Sequence, residues 1–272
     1  MQTDGKIRAD IALVARGLAA SRERAQELIN GGLVTLNGKT LEKCSVRIAE
    51  TDDLAVLGAV HPYVSRGGLK LARALESFCV KPAGRVCMDI GASTGGFTDV
   101  LLQNGAAKVY AIDVGVGQLD LRLQADQRVI SMEHTNAREL RPDLFDEPPT
   151  LGVMDVSFIS ITLILPAAFA ILGESGQMIS LIKPQFEAGP KKLGKKGIVS
   201  DPRVHIEVLE QIVRFAPTLG WRVRALDHSP IAGTAGNLEF LADFVPASHC
   251  DRSPSPEEIR ALVHTAHNRL RR

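Results

Sequence analysis

From position 84 onward the chain keeps returning to a short apolar run followed by a segment of helical period, and this alternation constrains the fold more than any other feature. Runs at 85–90, 108–112, 128–132, 151–155 and 177–182 have strand length and composition, while 97–104, 119–123, 161–172 and 204–215 repeat their apolar residues with helical spacing. Repeated β-α units of this length imply a mainly parallel, doubly wound α/β sheet with helices on both faces. Two further runs, 221–228 and 239–245, complete a seven-stranded sheet. No helix separates them, so the last strand is expected to be antiparallel.

One stretch, LGVMDVSFISITLILPAAFAIL at 151–172, has membrane-spanning length and a single charge. Asp155 near one end and Pro166 inside it argue against a transmembrane helix. Buried parallel strands are continuous apolar runs for the same reason membrane segments are. A strand, a Ser-containing turn and a helix are therefore expected there, and no membrane partner.

Ahead of this domain, residues 6–60 form a separate small unit. Ile7, Ile11, Val14 and Leu18 have helical spacing, Ser21 is placed to cap a second helix over 22–30, and Gly31-Gly32 ends it. Residues 33–36 alternate like a strand, and Asn37-Gly38 is a hairpin turn signal. Residues 61–83 connect the two units, with a turn at Arg66-Gly67-Gly68 and a leading helix that carries Lys70. The larger domain is expected over 84–246, and 247–272 as a polar linker with a basic C-terminal helix.

Asp89-Ile90-Gly91-Ala92-Ser93-Thr94-Gly95-Gly96-Phe97-Thr98 follows one apolar strand and opens a helix. Ligands of such sheets bind beyond the carboxyl ends of the strands, and a glycine-rich turn lets them approach the backbone. The spacing departs from the dinucleotide fingerprint G-x-G-x-x-G. Asp89 at the strand end would repel a pyrophosphate but attract the amino group of a methionine moiety. Asp113, closing the next strand, suits ribose hydroxyls, and Asn136 after the third strand is placed to meet an adenine.

Lys70, Asp155, Lys183 and Glu239 are the candidate catalytic residues, the last three each at or beside the end of an apolar run. Turning a hydroxyl into a nucleophile requires removal of a poorly acidic proton. A free lysine is protonated at neutral pH, and a neighbouring lysine and burial disfavour its charged form. Lys183 is assigned as the base or the group that orients the hydroxyl, with Lys70 tuning it and Asp155 and Glu239 positioning the two ammonium groups.

These segments carry resemblances. Residues 8–39 resemble the S-four-type RNA-binding module, which implies RNA contact through Lys6, Arg8, Arg22, Arg24 and Lys39, with Arg66 beyond it. The D-x-G-x-x-x-G-G turn with its downstream acid resembles class I, Rossmann-like methyltransferases, whose donor is S-adenosylmethionine. This implies a donor site at Asp89, Gly91, Ser93, Thr94, Gly95, Gly96, Phe97, Thr98, Asp113, Asn136 and Asp155. The Lys-Asp-Lys-Glu order is similar to that of the FtsJ-type ribose 2′-O-methyltransferases, and its fusion to an S-four-type module resembles the TlyA family. The resemblance implies 2′-O-methylation of cytidine in ribosomal RNA, with ribosomal RNA or ribosomal subunits as partners. It implies a large-subunit target, joined in the longer family members by a small-subunit site, and the extra C-terminal helix resembles the longer type. The family also carries a haemolysin label, whereas nothing here has the amphipathic strands or membrane helices of a pore. The intact set of four charged residues counts against an RNA-binding factor that has lost its chemistry.

A basic loop, Lys191-Lys192-Leu193-Gly194-Lys195-Lys196, follows the Lys183 segment and is expected to hold RNA phosphates. The formal net charge of +1 gives no such support, so RNA binding rests on where the charges sit. The four cysteines form no C-x-x-C pair and lie near no histidine at ligand spacing, so no metal and no disulfide framework are expected, which fits a reducing, cytoplasmic setting.

Overall fold

The computed structural model describes residues 6–19, 21–57, 61–194, 197–233 and 236–270. The chain divides into two compact units, Met1–Ser65 and Arg66–Arg272. The leading helix thus belongs to the larger unit instead of standing apart with the connecting segment.

In the smaller unit, β1 (Ile7–Arg8) precedes α1 (Ala9–Ala15) and α2 (Arg22–Asn30), followed by β2 (Val34–Leu36), β3 (Lys39–Thr40), β4 (Arg47–Ile48) and β5 (Leu54–Val56). The helix expected from Ile7 begins at Ala9, because Ile7 and Arg8 are extended and pair with Ile48 and Arg47. The apolar stripe Ile7, Ile11, Val14 and Leu18 is exposed, while Ala9, Ala12 and Leu13 pack on Leu28, Ile29, Val34 and Ile48. Two alanines and one leucine, not the larger apolar residues, take the buried face of α1. Ser21 caps α2 by accepting a hydrogen bond from the Arg24 amide at 3.1 Å. Asn37 and Gly38, both at positive φ, turn β2 into β3.

Asp10 is fully buried at the centre of this unit and accepts hydrogen bonds from Arg8 (2.9 Å), Arg22 (2.9 Å) and Gln26 (2.8 Å). The hydrogen bond from Arg8 leads the contacts that hold its carboxyl well below the usual range. Its stabilisation is therefore present above the unfolded carboxylate value, about pH 4, and is lost as pH falls through the lower folded one. Replacing Asp10 by alanine removes the acceptor shared by Arg8, Arg22 and Gln26 and should cost about 1–3 kcal/mol, moderated because water reaches both guanidinium groups. Amide hydrogen exchange over residues 7–56 of the full chain checks this; unchanged protection would refute it.

The larger unit runs α3 (Gly67–Ser77), β6 (Val86–Ile90), α4 (Gly96–Gln103), β7 (Lys108–Ile112), α5 (Leu121–Gln124), β8 (Val129–Met132), β9 (Leu151–Met154), α6 (Leu165–Leu172), β10 (Gln177–Ile182), α7 (Pro184–Glu187), α8 (Pro202–Phe215), β11 (Trp221–His228), β12 (Phe240–Pro246) and α9 (Pro256–Leu270). The seven-stranded sheet has the order β11-β12-β10-β9-β6-β7-β8. β12 is antiparallel to both of its neighbours, and the pairs from β10 across to β8 are parallel, as the alternation predicts.

Side chains alternate across each strand, so β6 sends Met88 and Ile90 into the core shared with α6 and α8, while Asp89 meets Thr98 of α4 on the other face. Gly67 and Gly68, expected in a flexible turn, form the first turn of α3. The membrane-length stretch resolves into β9, a bend, a 3₁₀ turn at Ile161–Leu163 and α6, whose first turn tolerates Pro166 because no intrahelical bond there needs the N–H that proline lacks. No described helix is long and apolar enough to cross a membrane. The C-terminal helix is no appendage. α9 packs on α8 and β11, and Ile259, Val263 and Ala266 join the main core.

Candidate active site

A crevice of about 1090 Å³ opens beyond the carboxyl ends of the parallel strands, with Gly91, Asp113, Asn136, Asp155 and Phe158 among its walls. Its floor depends on Gly91, at φ 84°, where a Cβ would stand 2.7 Å from the Asp155 carbonyl oxygen. Only glycine lets β6 leave the sheet so close to the end of β9. Ser93 is exposed beside it, and its amide donates to Asp113 Oδ2 at 2.8 Å. The Gly115 amide donates to Asp113 Oδ1 at 2.7 Å, so each oxygen accepts from one amide and keeps a lone pair for a ligand. Thr94 is half-buried in the loop; Gly95 caps α4, and Gly96, Phe97 and Thr98 lie buried in its first turn. Asn136 caps the turn Ala137–Glu139 by accepting from the Arg138 amide, and donates to Glu139 at 2.8 Å.

Asp89 does not reach the crevice. It is fully buried on the α4 face and accepts a hydrogen bond from Thr98 Oγ1 at 2.7 Å, while its Oδ1 has no partner. Desolvation pushes its carboxyl up to about 7. The expected direct attraction of an amino group by Asp89 is therefore replaced by a structural contact under the loop. The strand's alternation turned this carboxylate to the face away from the main core, where α4 covers it.

Lys70, Asp155, Lys183 and Glu239 come together as a chain of opposite charges. Lys70 Nζ lies 2.6 Å from Glu239 Oε2 and 3.8 Å from Asp155 Oδ2, and Lys183 Nζ lies 2.6 Å from Asp155 Oδ1. Lys183 also donates to Ser157 Oγ at 2.8 Å. Lys70, Lys183 and Glu239 are buried, whereas Asp155 and Ser157 line the crevice. Lysine-to-lysine tuning is not what this geometry offers, because Asp155 bridges the two amines and each has its own carboxylate at 2.6 Å.

Four segments deliver these groups. Lys70 stands on α3, Asp155 and Lys183 directly follow β9 and β10, and Glu239 directly precedes the antiparallel β12. An antiparallel strand begins at the edge where its parallel neighbours end, which brings Glu239 to the others. Gly233 makes room for it, since a Cβ there would stand 2.0 Å from Glu239 Oε1.

The expected RNA-contacting residues divide. Lys6, Lys39 and Lys191 are exposed. Arg8 and Arg22 are tied to Asp10, and Arg24 to Glu27, so all three already serve the small unit internally. Lys192 pairs with Glu207, and Arg66 occupies the N-cap position of α3. Lys195 and Lys196 lie outside the described residues. Among the described residues no cluster of potential metal ligands occurs.

Phe158 is a wall residue that the sequence alone did not single out. It is 91% exposed, has a φ of 65°, and sits 5.2 Å from the Phe186 ring at the crevice. A bulky residue in the left-handed region with its ring in solvent is strained and unburied, which makes it a candidate for a functional position. Its left-handed backbone angle leaves no signal in the sequence.

An FtsJ-like methyltransferase family matches residues 63–244, and an S4 domain matches residues 7–54. YqxC of Bacillus subtilis is 45% identical over 99% of this chain and 97% of its own length. The 16S/23S rRNA (cytidine-2′-O)-methyltransferase TlyA of Mycobacterium tuberculosis is 41% identical over 96% of this chain and 97% of that protein. A solved structure from Streptococcus thermophilus that carries a hemolysin label superposes with a TM-score of 0.79 at 43% identity, covering 99% of this chain and 98% of that one. With both domains matched in order and near-complete coverage on both sides, the chain belongs to the TlyA family, an S4 domain joined to an FtsJ-like, S-adenosylmethionine-dependent methyltransferase.

Proposed function

We propose that this protein methylates the 2′-hydroxyl of a cytidine ribose in ribosomal RNA, acting on ribosomal subunits in the cytoplasm. The observation that carries the reading is the Glu239-Lys70-Asp155-Lys183 chain of charges, whose Asp155 lines the crevice wall. The reaction is the one named for the Mycobacterium tuberculosis relative and, for 23S rRNA, for a Campylobacter jejuni relative 34% identical to this chain.

The crevice fits S-adenosylmethionine. Asp113, its oxygens steadied by two backbone amides, suits ribose hydroxyls, and Ile112, Val114 and Ala137 give an apolar wall for a purine beside Asn136. Gly91 lines the crevice, the place of its absent Cβ taken by the closely approaching Asp155 backbone. When bound, the donor supplies an electrophilic methyl.

The chain's own residues prepare the acceptor. Lys183 Nζ orients the target hydroxyl and, in the form that carries no extra proton, receives the hydroxyl proton on its lone pair as the oxygen attacks and becomes an ammonium that Asp155 holds in place. Lys70, fixed by Glu239, offsets part of the carboxylate charge beforehand, and the four groups balance once Lys183 holds the proton. Phe158 and Phe186 offer ring faces against which a base turned out of its stack can rest. Lys6, Lys39 and Lys191 supply phosphate contacts.

Incubation with methyl-labelled donor and separated ribosomal subunits tests the reading. Methylation of a 2′-hydroxyl blocks alkaline cleavage of the adjacent linkage, so label should appear in alkali-resistant dinucleotides with cytidine on the 5′ side. Label in alkali-sensitive mononucleotides would mean a base methyltransferase, and no label on either subunit would remove ribosomal RNA as the substrate.

A further inference from the structure

We infer that Ser157 is a positioning residue for the transfer step, acting through Lys183. The inference rests on the proposed ribose methylation and adds a member to its machinery. Lys183 is buried, and its amine has two close partners, Asp155 Oδ1 at 2.6 Å and Ser157 Oγ at 2.8 Å. An uncharged lysine amine carries two N–H bonds and one lone pair in tetrahedral array. With one N–H donated to Ser157 and the other drawn toward the Asp155 charge, the direction of the lone pair is fixed and is no longer free to rotate about the Cε–Nζ bond. A base whose lone pair is already aimed loses less orientational freedom when the hydroxyl arrives.

The backbone around Ser157 supports a role for this contact. Ser157 is exposed on the crevice wall, where water would satisfy its hydroxyl without any protein partner. The hydroxyl meets the buried amine instead, and the next residue, Phe158, holds a φ of 65° that a phenylalanine rarely adopts. Strain of this kind persists only where surrounding structure imposes it. The bend directs residue 157 back toward Lys183 and residue 158 out toward solvent. Asp155, Ser157 and Phe158 thus lie on one short segment after β9, which ties the lysine's orientation to the wall that faces the substrate.

Single-turnover transfer on ribosomal subunits, with donor and subunit affinities measured separately, tests this with three variants. Ser157→Ala removes the acceptor. Ser157→Cys keeps the volume but offers a poor acceptor, and Ser157→Thr keeps the hydroxyl. Ala and Cys should each slow the transfer rate about tenfold, the scale of one hydrogen bond to a charged or reacting group, with both affinities unchanged, while Thr restores most of the rate. Cys reacting at the wild-type rate, or Ala and Cys acting only through weaker donor or subunit binding, would overturn the inference. A wild-type protein that labels no ribose would overturn the proposed function itself, and the two failures are therefore distinct. Thermal unfolding of each variant identifies loss of folding, and Ser157→Thr provides the folded comparison if Ala is destabilised.

Discussion

Replacing Lys183 by alanine will lower the rate of methyl transfer by about 10²–10⁴-fold, the usual contribution of a positioned proton acceptor, and leave donor affinity close to wild type. Lys183 is buried behind Asp155, outside the walls that would contact the donor's ribose and purine, so its loss removes a transition-state contact with little change in ground-state binding. Asp155 keeps a second cation, Lys70 at 3.8 Å, which limits the cost of stranding its charge. Rapid-quench single-turnover assays and calorimetric titration of the donor separate the two quantities. A rate within about threefold of wild type would mean that Lys183 has no part in the proton's departure, since threefold is well under about 1 kcal/mol of barrier.

Replacing Asp89 by asparagine will abolish most of a pH-dependent loss of stability in the donor-free protein. The folded carboxyl titrates at about 7, chiefly because it is desolvated, whereas an unfolded aspartate titrates at about 4. Between those values the folded state holds a proton that the unfolded state has released, so stability falls as pH rises from about 4 to about 7 and levels off beyond. A rise of that size in the folded carboxyl corresponds to about 4 kcal/mol. Asparagine mimics the neutral acid and still accepts from Thr98, so the variant should lack this component. Urea unfolding at pH values of about 5 and about 8, on either side of the folded carboxyl's titration, provides the comparison. Contributions from Asp243 and Glu187, both also raised chiefly by burial, are common to the two proteins and cancel in the difference. Parallel pH dependence in wild type and variant would show that Asp89 is charged in the folded protein.

Most of the larger unit was legible because parallel strands announce themselves as uninterrupted apolar runs, and the helices between them by period. The ends of those runs located Asp113, Asp155, Lys183 and Glu239, since a charge at the edge of an apolar strand has few other places to be. What periodicity does not carry is which side of an element wins burial. Ile7, Ile11, Val14 and Leu18 have the spacing of a buried stripe, yet Ala9, Ala12 and Leu13 fill the core. Asp89 occupies a strand end like Asp155, but parity along β6 turned it under α4. Arg8, Arg22 and Arg24 were visible as charges, whereas their carboxylate partners Asp10 and Glu27 could be assigned only from the folded unit. Phe158 depends on a backbone angle, for which a single residue letter gives no sign.

The reversed strand β12 has a bearing on when during folding the chemistry becomes available. Glu239, which leads into it, reaches Lys70 only after the hairpin of β11 and β12 has slotted in beside β10, late in the chain and across a long stretch of sequence. A partly folded molecule with the earlier strands in place would present the donor loop but leave Lys70 without its strongest counter-ion. Binding of the donor and turnover are thus separate gauges of assembly: the first registers the parallel half of the sheet, the second its closing edge.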